Sequence, residues 1–138
     1  MKTQLKGSFF QVFGATLVWL TFILTRFFAK GQTIPIDFIW NIIGASFVCA
    51  LILGVLYTVL WNHFTLKPIF NIIIGTAANT LGGYLVLLLL FKSMFSAMLP
   101  FLPLVLMISF SLHSIAFYFY AKYERNKEAK ALNGALPQ

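Results

Sequence analysis

The chain has 138 residues, of which 60% are hydrophobic and only 9% are charged. Soluble domains average roughly 45–50% and 25%, and a chain of this size cannot bury so much apolar surface, so the composition excludes a soluble globular protein. The single cysteine, Cys49, excludes an internal disulfide framework and any multi-cysteine metal site. The formal charge of +7 lies at the ends of apolar segments. We therefore expect contact with a membrane surface and no direct binding of nucleic acid.

Four uncharged stretches, at residues 7–25, 38–66, 68–91 and 93–121, divide the chain. Each can supply the roughly 20 apolar residues that cross a hydrocarbon core about 30 Å thick. Polar and aromatic markers place the predicted helices near 7–28, 38–61, 69–91 and 99–120. The sequence thus predicts an all-α protein, with a four-helix transmembrane bundle at 1–120 and a basic tail at 121–138.

The first stretch follows a basic start, as a secretory signal peptide does. It is longer than a typical apolar signal region, and no Ala-x-Ala type cleavage site follows it, so we interpret it as a retained helix. In the second span, Trp40 and Trp61 stand 21 residues apart. That separation is about 32 Å along a helix, which predicts that both lie at membrane interfaces.

Four crossings place both termini on one side of the membrane. Seven basic residues lie on that side, and three lie on the other: Lys2, Lys6, Lys67, Lys122, Arg125, Lys127 and Lys130 against Arg26, Lys30 and Lys92. Because basic residues concentrate in the cytoplasm, we expect both termini there and the protein in the bacterial plasma membrane. The cytoplasm then meets the N-terminal arm, a loop with His63, and the tail.

The predicted spans contain no Asp, Glu or Lys, and their one Arg, Arg26, lies near the outer end of the first helix. Proton-coupled pumps, exporters with a buried glutamate and intramembrane metalloproteases need such groups at depth, so these classes are excluded. His113 lies among three serines, but only Ser109, four residues earlier, shares its helix face. We expect His113 to bond a neighbouring helix, and we expect no enzymatic activity, metal or cofactor.

Small residues recur at every fourth position in the second and third spans: Ser46, Ala50 and Gly54, and Gly75, Asn79 and Gly83. Such stripes let membrane helices approach closely, so we expect these two faces to pack together. Asn79 lies near the middle of its span and should face protein, since an unpaired amide in lipid costs several kcal/mol. The alternative is a polar path through Asn79 and His113, as in a small transporter or transporter subunit that acts as an oligomer.

The fourth span begins with Pro100 and Pro103, which suit a first helical turn but would kink a helix that starts earlier. Its far end is aromatic, and helix formers follow it into the tail, where Glu124 can pair with Lys127. We expect the helix to continue until Asn133 and Gly134 stop it. The exposed tail residues are candidates for binding anionic lipid or a partner: Lys122, Tyr123, Arg125, Lys127 and Lys130.

The basic arm, the Gly-containing first helix, the short loops, the run IAFYFY at 115–120 and the tail KEAKALNGAL at 127–136 resemble a family of small four-helix membrane proteins of Gram-positive bacteria. Members are typically encoded beside LytTR-type transcription regulators. The resemblance implies an interaction protein that sequesters or inhibits such a regulator at the membrane. It implies no catalytic residues. Since the tail is basic, it cannot mimic DNA, and inhibition would act by sequestration or by blocking a dimer surface.

Overall fold

The computed structural model describes residues 2–28, 35–62 and 67–135. Over this part of the chain it is helical, without strands, and it contains four helices long and apolar enough to cross a membrane. The predicted all-α four-helix bundle is confirmed. His63, Lys30 and Gln32 lie outside the described residues.

The first helix, α1, comprises Lys2–Ile23 and continues as a π-helix over Leu24–Phe28. The second, α2, contains an α-helix Phe38–Cys49, a π-helix Ala50–Leu56 and an α-helix Tyr57–Asn62. The third, α3, is Pro68–Leu90, with its proline in the first turn, where no amide hydrogen is needed.

The fourth span contains a short helix, α4 (Lys92–Met98), a 3-10 turn Leu99–Phe101, and a long helix, α5 (Leu102–Ala135). The break coincides with Pro100, because a proline inside a continuous α-helix would remove a backbone hydrogen bond and clash with the preceding turn. The Tyr84 hydroxyl donates to the Met98 carbonyl at 2.7 Å and so fixes the end of α4 against α3.

Each membrane helix packs against the next one along the chain: α1 on α2, α2 on α3 and α3 on α5. At the end of the molecule away from the termini, an apolar cluster of Leu24, Ile42, Ala45 and Leu90 joins α1, α2 and α3. The helix α5 stands at the edge of the molecule, and no residue in its most apolar stretch is buried.

The helix α5 has 34 residues and is about 51 Å long, whereas the hydrocarbon core is about 30 Å thick. It continues past the aromatic residues at 117–120 and passes through Asn133 and Gly134 to Ala135, so these two residues do not stop it. The tail therefore extends the fourth membrane helix by roughly 20 Å on the side of the termini. We call this side of the molecule the terminal side.

Candidate functional site

A polar cluster lies between α2, α3 and α5, and it extends from the middle of α3 toward the terminal side of the molecule. The Tyr57 hydroxyl and the Nε2 atom of His113 form a hydrogen bond. The Asn79 amide nitrogen is 3.0 Å from the Tyr57 hydroxyl and 3.2 Å from His113 Nε2. The three side chains, called here the polar triad, thus connect three helices, and Asn79 faces protein and His113 bonds its neighbours as the sequence predicts.

The hydrogen-bond network fixes the orientation of the triad. His113 Nδ1 is 2.7 Å from the carbonyl oxygen of Ser109, which can only accept, so Nδ1 carries the hydrogen. Nε2 of the neutral ring is then an acceptor, and the Tyr57 hydroxyl and the Asn79 NH₂ group donate to it. This assignment directs the Asn79 Oδ1 atom away from the ring, and Oδ1 has no hydrogen-bond partner among the described residues.

Tyr57 was not predicted as a site residue. The sequence feature that could have identified it is its hydroxyl inside an apolar span, because a tyrosine held in a membrane needs a polar partner. Trp61, predicted at an interface, packs on α5, with ring centroids 5.6 Å from Phe117 and 4.6 Å from Tyr120. Trp40 is 72% exposed.

A groove of about 620 Å³ opens beside the triad, with Asn79 between its two walls. Leu53, Tyr57 and Trp61 of α2 form one wall. The other wall belongs to α5 and contains Val105, Ile108, Ser109, Leu112, His113 and Ala116. A smaller cavity of about 200 Å³ between α2 and α3 shares Leu53 and Asn79 with the groove. The lining is apolar apart from the triad, Ser109 and the Trp61 ring nitrogen.

The predicted packing of the small-residue stripes is only partly found. Gly54 lies against α1, not α3: a Cβ atom there would be 2.8 Å from the Ser8 carbonyl oxygen and 3.0 Å from the Phe9 Cα atom. Gly83 is exposed and has no atom within 4 Å of its Cβ position. The physical reason is that a small residue permits close approach without specifying which helix approaches.

The remaining stripe residues do lie inside the molecule. Ser46 and Ala50 are fully buried, and the Ser46 hydroxyl donates to the Ile42 carbonyl of its own helix. Gly75 is buried, and its Cβ position would be 3.1 Å from the His113 ring. Gly82, which lies beside the predicted stripe, is the glycine of α3 that contacts Ile52 and Val48 of α2.

The five predicted tail residues do not form one surface. Tyr123, Lys127 and Lys130 lie on one face of α5 together with Asn126. Lys122 and Arg125 lie on another face, because successive residues are rotated by about 100°. All five side chains are exposed, and the Lys127 ammonium lies 3.9 Å from the Glu124 carboxylate within the tail.

Comparison of the chain with known protein families, with curated proteins and with solved structures finds no match.

Proposed function

We propose that this chain is an integral membrane interaction protein whose helical tail captures a cytoplasmic transcription regulator of the LytTR type and holds it at the plasma membrane. One observation carries the proposal: the tail is a helical extension of a membrane span, and it presents Tyr123, Lys127 and Lys130 on one exposed face. The kind of partner comes from the family resemblance.

The chemistry of this tail face suits an acidic protein surface. Tyr123 is followed on the same face by two lysines, Lys127 and Lys130. The tyrosine supplies a large contact area at a small cost in conformational entropy. Opposite charges on the partner would increase the association rate and orient the complex. Capture at the membrane would remove the regulator from its genes, so the role is one of binding rather than catalysis.

Two matched variants test which face of the tail binds. Lys127→Glu with Lys130→Glu reverses charge on the tyrosine face, and Lys122→Glu with Arg125→Glu makes the same charge change on the other face. We expect the first variant to lose the regulator in co-purification with the full, detergent-solubilised chain, and the second to retain it. The loss should be larger at low salt, because exposed charges are screened beyond about 8–10 Å.

Deletion of residues 123–138 should release the regulator and raise expression of its target genes, while the four spans remain in the membrane. Equal effects of the two charge reversals would instead indicate attraction to anionic lipid without a defined face. Cysteine labelling in a Cys49→Ala background should find position 133 in the cytoplasm and position 32 outside. Labelling that places the tail outside would contradict the proposal, because an external tail cannot bind a cytoplasmic regulator.

A second candidate function is that of a small transporter or transporter subunit that acts as a homo-oligomer, and the polar triad beside a groove favours it. For a transporter, the polar triad should be essential and the tail dispensable, which is the opposite of what the first proposal predicts. Asn79→Leu or His113→Leu would abolish solute movement in folded protein, and deletion of the tail would have a mild effect.

A further inference from the structure

We propose that the groove between α2 and α5 is a binding site for an uncharged single-chain lipid that carries a hydroxyl group, namely a long-chain alcohol, with its hydroxyl bonded to Asn79. This inference does not depend on the tail or on its partner. It rests on the size and lining of the groove, on the hydrogen-bonding capacity of the triad and on its position along the helices.

The groove has the properties of a small-molecule site. Its volume of about 620 Å³ lies within the range of roughly 300–1,000 Å³ typical of ligand pockets, and its apolar walls surround few polar groups. Val105 and Ala116 lie at its two ends on α5, and the part from His113 to Val105 is about 12 Å long along the helix. An extended chain that starts at the triad covers that part with about 10 or 11 bonds, since a residue of three backbone bonds spans at most about 3.3–3.6 Å.

The triad specifies the polar end of the ligand. Nε2 of His113 already accepts from Tyr57 and Asn79, and Nδ1 donates to Ser109. Asn79 Oδ1 is an acceptor without a partner among the residues described, so it needs a donor such as a hydroxyl. None of the described residues that line the groove is charged, so they offer no counter-ion to a charged headgroup at this depth.

The position of the triad gives the direction of the ligand. His113 lies three residues from Ala116, at the groove end nearer the tail, and seven residues, or about 10 Å, before Tyr120. A hydroxyl at the triad would therefore lie at the end of the ligand nearer the terminal side, and the chain would extend along Leu112 and Ile108 through the middle of the span toward Val105. The alkyl end of the ligand thus points away from the terminal side.

The same geometry argues against a helix from a second copy of this chain as the occupant of the groove. The Tyr57 hydroxyl meets His113 across the groove, and the Trp61 ring meets the Tyr120 ring at 4.6 Å just beyond it. A helix with side chains is about 10–12 Å across, so it cannot enter between walls that are joined in this way. A single alkyl chain can.

The test uses the full chain in nanodiscs of phosphatidylglycerol and phosphatidylethanolamine. The probe is a photoreactive alcohol of about 12 carbons that carries a diazirine, and its methyl ether is the matched control. The ether keeps the chain but cannot donate a hydrogen bond. We expect half-saturation of labelling at Ile108 or Leu112 at about 3- to 10-fold lower concentration for the alcohol, the value of one hydrogen bond.

Asn79→Leu should abolish this preference, whereas Asn71→Leu should preserve it, since Asn71 is on the same helix and does not line the groove. Leu112→Trp fills the groove from an exposed position on the path of the alkyl chain and should prevent labelling of Ile108 by both probes. This variant keeps the proposal testable if Asn79→Leu does not fold. Equal labelling by alcohol and ether, a preference that persists in Asn79→Leu, or labelling of Ile108 that persists in Leu112→Trp would overturn the proposal. So would absence of labelling in the wild type, as a second copy in the groove would produce.

Discussion

Two contacts of opposite character lie within three residues on α2. At Gly54 the backbone of α1 approaches so closely that a Cβ atom would be 2.8 Å from the Ser8 carbonyl oxygen. At Tyr57 a long polar side chain extends to α5 and α3 instead. The first contact joins two backbones without a gap, whereas the second joins helices through side-chain atoms beside a groove of about 620 Å³.

Gly54 lies inside the π-helix Ala50–Leu56, and Tyr57 directly follows it. The wider turn of the π-helix rotates successive residues by less than the 100° of an α-helix, so Gly54 and Tyr57 face different neighbours. The hydroxyl of Thr58, in the α-helix that follows, donates to the Gly54 carbonyl at 2.7 Å. One helix thereby supports a close interface on one side and an open polar one on the other.

The largest effect should come from filling the close contact. We expect Gly54→Ala to cost about 3 kcal/mol of unfolding free energy, the upper end for overpacking, because the obstructing atoms belong to the α1 backbone. Unfolding of the detergent-solubilised chain by SDS, followed by circular dichroism, measures it. Gly83→Ala is the control, since its Cβ position is open, and it should be neutral or stabilising by up to about 1 kcal/mol. Equal tolerance of both variants would show that α1 does not approach Gly54.

A smaller effect should come from breaking the polar contact. His113→Leu leaves Tyr57 and Asn79 without their shared acceptor and should cost about 1–2 kcal/mol. Tyr57→Phe removes a hydroxyl but leaves the bond from Asn79 to His113 in place, so it should cost less. Because the residues share one network, the double variant should cost less than the sum of the two. Strict additivity in the same unfolding assay would argue against the network.

The sequence was sufficient for the fold because long uncharged stretches have no alternative to spanning the membrane. It also predicted that Asn79 faces protein and that His113 bonds another helix, since a polar side chain in lipid must find a partner. It did not identify Tyr57, because the residue that meets a histidine is set by the phase of its own helix. A π-helix changes that phase, and no residue type in the stretch 50–56 specifies one.

The glycines show the same limit. Gly54 was assigned to α3 on spacing alone, but it contacts α1, while Gly82, outside the four-residue spacing, contacts α2. Spacing shows which residues share a face and not which neighbour that face meets. The tail residues illustrate the reverse case: their helical phase follows from the sequence, so the division into two faces could have been predicted there.

A third change tests the aromatic ring contacts between α2 and α5. Trp61→Ala removes ring contacts to Phe117 and Tyr120 and should cost about 0.5–1.5 kcal/mol in the same unfolding assay. Trp40→Ala is a matched control at the other end of α2, where the ring is 72% exposed, and it should leave the unfolding free energy nearly unchanged. A larger loss for Trp40→Ala would indicate that interfacial anchoring outweighs contact with α5.

The smallest effect concerns the tail. Beyond the membrane, the tail is stabilised by interactions within its own helix. Glu124→Gln removes the ion pair with Lys127, an exposed contact at 3.9 Å that is worth about 0.3–0.5 kcal/mol at low salt. Hydrogen exchange of the tail amides in the full chain should therefore accelerate about 2-fold at low salt and remain unchanged at high salt. Lys122→Gln, at an exposed position with no acidic residue three or four positions away in the sequence, should show neither change. Because the tail lies outside the bundle, neither substitution should alter the unfolding of the membrane helices. If Glu124→Gln also lowered the unfolding free energy of the membrane helices, the tail would have to pack against the bundle. The tail end of α5 would then not differ from the packed helix α1 in the way described above.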